Sequence, residues 1–183
     1  MVQMFVYRVG IDPRGRVLLI LADEPVKQLL PMVIGQFEAK AIAMELAEQH
    51  FERPLTHDLL HNVMSSLGHR LDRVDVTKLE DDTFYAELSL VGEGDIVKVD
   101  SRPSDAIALA LRSGAPIFVA EDVLDRAAVL PEDIVVDEQV DTSGDSALEG
   151  APEGDEPVEE GSEGIDHVRR LLEGLDLEEG EEQ

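Results

Sequence analysis

The stretch Val99–Arg112, VDSRPSDAIALALR, combines the end of a strand, a Ser/Pro corner and an apolar helix. Pro103 suits the first turn of a helix, where its missing N–H costs no hydrogen bond. Asp105 follows in the same turn, where a carboxylate complements the positive end of the helix dipole. Because Ala106–Leu111 contains no polar residue, we expect this helix to be buried on most of its sides. The polar side chains of the corner should therefore lie at the edge of the core.

Segments with the composition of β-strands lie on both sides of this stretch. Val2–Val9 and Arg16–Ala22 are joined by a short segment with Pro and Gly in turn positions, which predicts a hairpin. Leu29–Ile34 contains Pro31, which is typical of an edge strand or of the start of a strand. Four further strands are predicted at residues 70–79, 83–91, 95–100 and 116–120.

Apolar residues at helical spacing predict two more helices. The first covers residues 36–50 and carries Glu38 in its first turn. The second covers residues 56–67, and its apolar stripe consists of Leu60, Val63, Met64 and Leu67. We therefore expect an α+β fold, a single compact domain in which about three helices, at 36–50, 56–67 and 103–113, pack on a mostly antiparallel sheet.

Acidic residues are distributed unevenly along the chain. Of 183 residues, 41 are acidic and 15 are basic, which gives a formal net charge of −26. Residues 132–183 hold 20 of the acidic residues and two of the basic ones, and much of this part has little apolar surface to bury. We therefore predict a domain at 1–131, a disordered acidic linker at 132–164, a short amphipathic helix at 165–177 and an acidic tail at 178–183.

Acidic residues also exceed basic ones within residues 1–131, by 21 to 13. This excess favours a halophilic protein, because concentrated salt screens the repulsion between carboxylates; an ordinary protein with an acidic tail is the alternative. The absence of Cys excludes disulfides, thiolate metal sites and a Cys nucleophile. No apolar run approaches the ~18 residues of a membrane span, and no signal-peptide pattern occurs, so we expect a cytoplasmic protein.

Five segments in series give the chain a resemblance to a known family. They are LPMVIGQFEAKAIA (30–43), RPLTHDLL (53–60), DTFYAEL (82–88), DSRPSDAIALALR (100–112) and APIFV (115–119). The fourth resembles the signature of the bifunctional nuclease family, which was formerly classed as a domain of unknown function. The resemblance implies a compact α+β domain that forms a homodimer or a higher homo-oligomer, with nuclease activity on DNA and RNA.

The chemistry of a nuclease directs attention to the acids, bases and arginines in these segments. Phosphodiester cleavage needs an activated nucleophile and positive charge at the phosphate, which carboxylate-held Mg²⁺ or Mn²⁺ often supplies. Asp105 and Glu38 are the candidate metal ligands, and His57 and Asp58 are further candidates for catalysis. The candidates for substrate binding are Arg102, Arg53 and Ser104.

Each candidate also has a structural interpretation. Arg102 and Asp105 stand three residues apart at a helix start, where an ion pair between them would fix the corner. Glu38 and Asp58 are favoured in first turns by the helix dipole alone. The sequence shows no basic stripe, although nucleic-acid binding normally rests on Lys and Arg. Two hypotheses stay open: a metal-assisted nuclease, and a non-catalytic dimeric protein-interaction module that uses the acidic tail and the terminal helix.

Overall fold

A computed structural model describes residues 1–134 and 138–139 of the chain. The described strands are β1 Val2–Ile11, β2 Val17–Asp23, β3 Leu29–Val33, β4 Arg70–Glu80, β5 Thr83–Val91, β6 Ile96–Ser101, β7 Ile117–Val119 and β8 Glu138–Gln139. The described α-helices are α1 Gln36–Leu46, α2 Thr56–Ser66, α3 Pro103–Ser113 and α4 Glu121–Ala127. The predictions of a linker, a terminal helix and an acidic tail fall on residues 140–183 almost entirely, outside the described residues.

The strands form one sheet in the order β3-β2-β1-β7-β4-β5-β6, and β8 pairs with β1. Every neighbouring pair is antiparallel except β4 and β7, which run parallel. The α+β fold, the single compact domain and the mostly antiparallel sheet are therefore confirmed. Pro31 lies in β3 at one edge of the sheet, as its missing N–H requires. Among the described residues, no helix combines the length and the hydropathy that crossing a membrane requires.

Helix α3 lies at the centre of the molecule. Its residues Ala106, Ile107, Ala108, Leu109 and Ala110 are almost completely buried. It packs on β4 and β5, and α1 and α2 pack against it from the other side. The alanines leave room for these neighbours to approach closely, which explains why a helix with so little bulk is buried so completely.

The structure ends α1 four residues earlier than the predicted end at residue 50. The chain leaves the helix at Ala47, and Glu48 adopts a left-handed conformation with φ +52°. The N–H of Gln49 then bonds to the carbonyl of Met44 at 3.0 Å. This hydrogen bond satisfies a carbonyl of the last turn, so the helix is closed before the apolar spacing ends.

The apolar stripe predicted for α2 is present, but most of it is exposed. Met64 is buried, but Leu60 and Val63 are 43% and 44% exposed, and Leu67 is 72% exposed. Periodicity identified the apolar face of this helix correctly, but it gave no information on whether the same chain covers that face. The helix contacts α3 along a narrow strip, and most of the stripe faces outward.

We predict that Ile107→Ala lowers the free energy of unfolding by about 2–5 kcal/mol, because it leaves a cavity beside fully buried neighbours. Ile96→Ala provides the matched control, since Ile96 is 68% exposed on the edge strand β6. The control should cost less than about 1 kcal/mol. Denaturant titration measures both values, and equal losses would contradict the central position of α3.

Candidate functional site

Four of the predicted site residues meet at the start of α3. Arg102 contacts two carboxylates at once: its Nε donates to Asp105 Oδ2 at 2.6 Å, and its Nη1 lies 2.8 Å from Glu38 Oε1. The other Asp105 oxygen, Oδ1, lies 3.3 Å from Nε2 of His57. Glu38, Arg102, Asp105 and His57 therefore form one connected polar group, which we call the corner cluster.

The corner cluster exists because three helices begin at the same place. Glu38 lies in the first turn of α1, His57 in the first turn of α2, and Asp105 in the first turn of α3. Arg102 precedes α3 in an extended conformation, and Pro103 opens the helix without needing a hydrogen-bond donor. Since side chains from the first turns of three helices meet here, the partial positive charge of those helix starts favours negative charge at this location.

Asp58 belongs to a separate network that surrounds Arg112. The Arg112 side chain is 6% exposed, and its Nε donates to Asp58 Oδ1 at 2.5 Å. Its other nitrogens donate to the carbonyls of Ala108 and Ala41. The second Asp58 oxygen accepts the backbone N–H of Leu55 at 2.8 Å, which closes the start of α2. Arg112 thus ties α1, α2 and α3 together, and the contacts of Asp58 are those of a structural residue.

These networks produce two pKa shifts with clear causes. Asp105, through its hydrogen bond and then its charge, holds the pKa of the Arg102 guanidinium above its ordinary value. Burial works against ionisation of Asp58, but the hydrogen bonds from Arg112 and Leu55 outweigh it and lower the pKa of this carboxyl. Both shifts favour the ionised form of the group concerned, the guanidinium of Arg102 and the carboxylate of Asp58.

Two clefts adjoin at the corner cluster, and Glu38 and Arg102 line both of them. The first cleft, about 610 Å³ in volume, lies between the starts of α1 and α2 and also contains His57 and Asp105. The second cleft, about 670 Å³ in volume, lies on the other side of Arg102 and reaches the ends of β3 and α4. The corner cluster therefore occupies the junction between two concave surfaces.

The remaining predicted residues lie elsewhere. Ser104 is buried and lines the second cleft, without a side-chain hydrogen bond among the described residues. Arg53 is exposed and lines neither cleft. Sequence reasoning missed four other basic residues that line the clefts: Arg16, Lys40, Arg112 and Arg126. Lys40 and Arg112 belong to segments that carry the family resemblance, whereas Arg16 and Arg126 belong to none of them, so no motif brings these two to notice.

The contacts of Glu38 and Asp105 bear directly on the expected Mg²⁺ or Mn²⁺ site. Both carboxylates already bracket the Arg102 guanidinium, and the free oxygen of Asp105 is next to His57. Within the described part of the chain, no group of three or more His, Asp or Glu side chains is placed to hold a metal ion. As they are arranged, these residues do not fit a divalent metal, because a cationic side chain stands between the two proposed ligands.

Comparison with known proteins identifies the family. The family model of the bifunctional nuclease domain matches residues 19–132, which is more than half of the chain. This chain belongs to the bifunctional nuclease domain family. An uncharacterized protein of Mycobacterium tuberculosis is 43% identical over 122 residues, which cover 67% of this chain and 73% of that protein.

Plant relatives extend the comparison at lower identity. Bifunctional nuclease 2 of Arabidopsis thaliana is 31% identical over 94 residues, and Bifunctional nuclease 2 of Oryza sativa is 27% identical over 110 residues. The matches cover 50% and 58% of this chain. They cover only 29% and 34% of the plant proteins, so most of each plant protein has no counterpart in the match.

The lowered pKa of Asp58 predicts a pH-dependent contribution to stability. At pH 7, Asp58→Asn should lower the free energy of unfolding by about 1 kcal/mol, a small value because Asp58 is partly exposed. A carboxyl whose pKa is lowered by folding stabilises the protein above its unfolded pKa of about 3.9, and this contribution disappears as the pH falls. The difference between wild type and variant should therefore shrink below about pH 4.

Denaturant titrations between neutral and acidic pH measure this difference. Asp100→Asn serves as the control, because Asp100 is exposed on β6 and forms no ion pair among the described residues. A wild-type–variant difference that stays constant down to acidic pH would show that Asp58 does not act through its charge.

Proposed function

We propose that this protein binds nucleic acid, DNA or RNA, and cleaves its phosphodiester bonds at the corner cluster. The observation that carries the proposal is the joining of Arg102, Asp105 and His57 at the meeting point of two clefts. Membership of the bifunctional nuclease domain family supports the reaction class. The three helix starts around the corner cluster add a field that favours a bound phosphate.

Arg102 is the residue that contacts the phosphate in this proposal. Its side chain is 67% exposed although two carboxylates hold it. Nε and Nη1 are engaged by Asp105 and Glu38, while Nη2 has no hydrogen bond among the described residues. A guanidinium held on one side by carboxylates keeps its orientation and presents its other side to an anion. Glu38 and Asp105 are therefore positioning residues for Arg102.

His57 is the proton carrier. If its Nε2–H donates to Asp105, the imidazole is fixed in one orientation and Nδ1 is left to exchange a proton with the substrate. Nδ1 takes a proton from the attacking water as the new O–P bond forms. The protonated Nδ1 then gives this proton to the leaving oxygen as the bond from that oxygen to phosphorus breaks, which restores the neutral imidazole. The charge of Asp105 stabilises the protonated imidazole between these two events.

Cleavage assays test the proposal with single-stranded DNA, duplex DNA and RNA as substrates. Arg102→Gln and His57→Gln should each lower kcat/KM by about 100-fold or more, since they remove phosphate binding and proton transfer. Arg70→Gln is the matched control, because Arg70 is 69% exposed on β4, away from both clefts. Thermal melts establish that all variants fold.

The same assay decides between the corner cluster alone and metal assistance. Activity that survives a chelator supports the arrangement described here. Activity that requires Mg²⁺ or Mn²⁺ and disappears in Glu38→Gln would instead support the sequence-based prediction of a metal at Glu38 and Asp105. If no substrate is cleaved, or if both variants cleave like wild type, the corner cluster has only a structural role and the interaction-module hypothesis is favoured.

We also propose that a second copy of the chain covers the exposed face of α2. Leu60, Val63 and Leu67 follow the i, i+3, i+7 spacing of a helix–helix contact, and Leu59 beside them is also exposed. Such a stripe can pack against itself about a two-fold axis. The exposed edge strand β6 is a weaker candidate because Lys98 and Asp100 interrupt its apolar residues, as is common on edges that avoid pairing.

We predict that Val63→Asp converts the oligomer to a monomer, as measured by size-exclusion chromatography with light scattering. Because residues 1–131 are acidic, association should strengthen as added salt screens repulsion between copies. Ile96→Asp on β6 is the control and should leave the mass unchanged. A monomeric wild type, or dissociation by Ile96→Asp alone, would refute the α2 contact.

A further inference from the structure

The two clefts concentrate positive charge within an acidic domain. Their walls hold five basic residues, Arg16, Lys40, Arg102, Arg112 and Arg126, against the three acidic residues Glu38, Asp82 and Asp105. Residues 1–131 as a whole hold 13 basic and 21 acidic residues. Arg112 is 6% exposed and bound to Asp58, so the basic residues that the clefts can offer to a ligand are Arg16, Lys40, Arg102 and Arg126. Cations gathered on a concave surface attract anionic ligands.

Two of these residues, Arg16 and Arg126, lie in the second cleft and have no part in the corner cluster. Arg16 precedes β2, and its Nε and Nη2 each lie 2.8 Å from the buried Asp12 carboxylate, although the side chain is 53% exposed. Arg126 is exposed in the last turn of α4, and its Nη1 donates to the carbonyl of Leu79. Each guanidinium is anchored by one partner and retains other N–H donors for a ligand.

The lining of the second cleft also provides apolar contacts. Ile34 and Phe84 contribute to its walls, and both side chains are partly buried against the core. A groove that combines cationic side chains with apolar and aromatic surface is typical of sites that follow a nucleic-acid strand, where phosphates meet the charges and bases meet the apolar surface.

We propose that the second cleft binds the substrate backbone next to the cleaved bond, with Arg16 and Arg126 as ligands of neighbouring phosphates. This inference rests on the proposed function, because Arg102 belongs to both clefts and marks the phosphate that reacts. When the reacting phosphate of a nucleic-acid strand lies at Arg102, the next phosphates of that strand can continue along the second cleft. The second cleft therefore determines affinity for long substrates without taking part in the chemical step.

Two substrates of different length test whether the second cleft contributes to affinity and the corner cluster to the chemical step. The long probe is a fluorescein-labelled oligothymidylate of about twelve nucleotides, within the range that one binding groove covers. The short probe is bis(p-nitrophenyl) phosphate, which has a single phosphodiester and therefore no neighbouring phosphate for Arg16 or Arg126 to bind. The variants are Arg16→Gln and Arg126→Gln, with Arg14→Gln and Arg70→Gln as controls, because both control arginines lie outside the clefts.

Each cleft variant should weaken binding of the oligothymidylate about fivefold and reduce the slope of log Kd against log salt by about 0.7. Turnover of bis(p-nitrophenyl) phosphate should stay at the wild-type level. Arg16→Gln also removes a partner of the buried Asp12, so Arg126→Glu is included as a variant that leaves the β1–β2 turn intact. Charge reversal at this position should weaken binding further than Arg126→Gln.

The outcomes separate this inference from the proposed function. If the cleft variants bind the oligothymidylate like the Arg14 and Arg70 controls while Arg102→Gln abolishes cleavage, the second cleft is not part of the substrate path and the corner cluster keeps its role. If Arg16→Gln and Arg126→Gln slow turnover of the short probe as much as they weaken binding of the long probe, they act on the corner cluster. The separate role of the second cleft is then wrong. If wild type neither binds nor cleaves either probe, both proposals fail.

Discussion

The complete burial of α3 is the constraint on which the rest of the structure depends. A helix that is covered by a sheet on one side and by two helices on the other cannot carry charge along its middle. Its polar residues are therefore confined to its two ends, with Arg102 and Asp105 at the start and Arg112 near the end. The helices that cover it, α1 and α2, bring their first-turn acids Glu38 and Asp58 to these arginines. The corner cluster is thus a consequence of how the core is packed.

The clefts group basic residues within an acidic domain, which the overall composition does not indicate. An acidic surface repels nucleic acid, and concentrated salt weakens the attraction of any basic residue to phosphate. An acidic protein that binds phosphate must therefore bring several of its few cations close together, so that their attractions to the phosphates add. The clefts bring together Arg16, Lys40, Arg102 and Arg126, four of the 13 basic residues of residues 1–131, from separate elements. A net charge summed over the sequence cannot reveal such an arrangement.

The elements of this fold could be predicted from local signals, whereas their exposure could not. Pro103, the apolar run after it and Gly114, which adopts φ +62° at the helix end, define α3 within the chain itself. The apolar stripe of α2 was equally visible, yet whether it is covered depends on neighbours that the sequence does not identify. The end of α1 was also missed, because a left-handed residue other than glycine, Glu48, has no clear signature.

The candidate site was predictable only where its residues share one motif. Arg102 and Asp105 are three residues apart, so their contact follows from helix geometry. Their meeting with Glu38 and His57 depends on the packing of three helices, and the resemblance brought these residues to notice without showing that they touch. Arg16 and Arg126 belong to no motif and meet in one cleft only through the tertiary fold. Long-range contacts of this kind carry no signal in a single sequence.

The arginines at the two ends of α3 differ in exposure, and this difference supports the role proposed for Arg102. Both contact carboxylates on neighbouring helices, so ion pairing alone gives them the same role. Arg112 is 6% exposed and also donates to two backbone carbonyls, which means that its donors satisfy groups of the protein itself. Arg102 is 67% exposed, and an ion pair as exposed as this one contributes little to stability. Holding a charge in a fixed orientation towards solvent contributes little to folding, and it is the arrangement that a binding site for an anion requires.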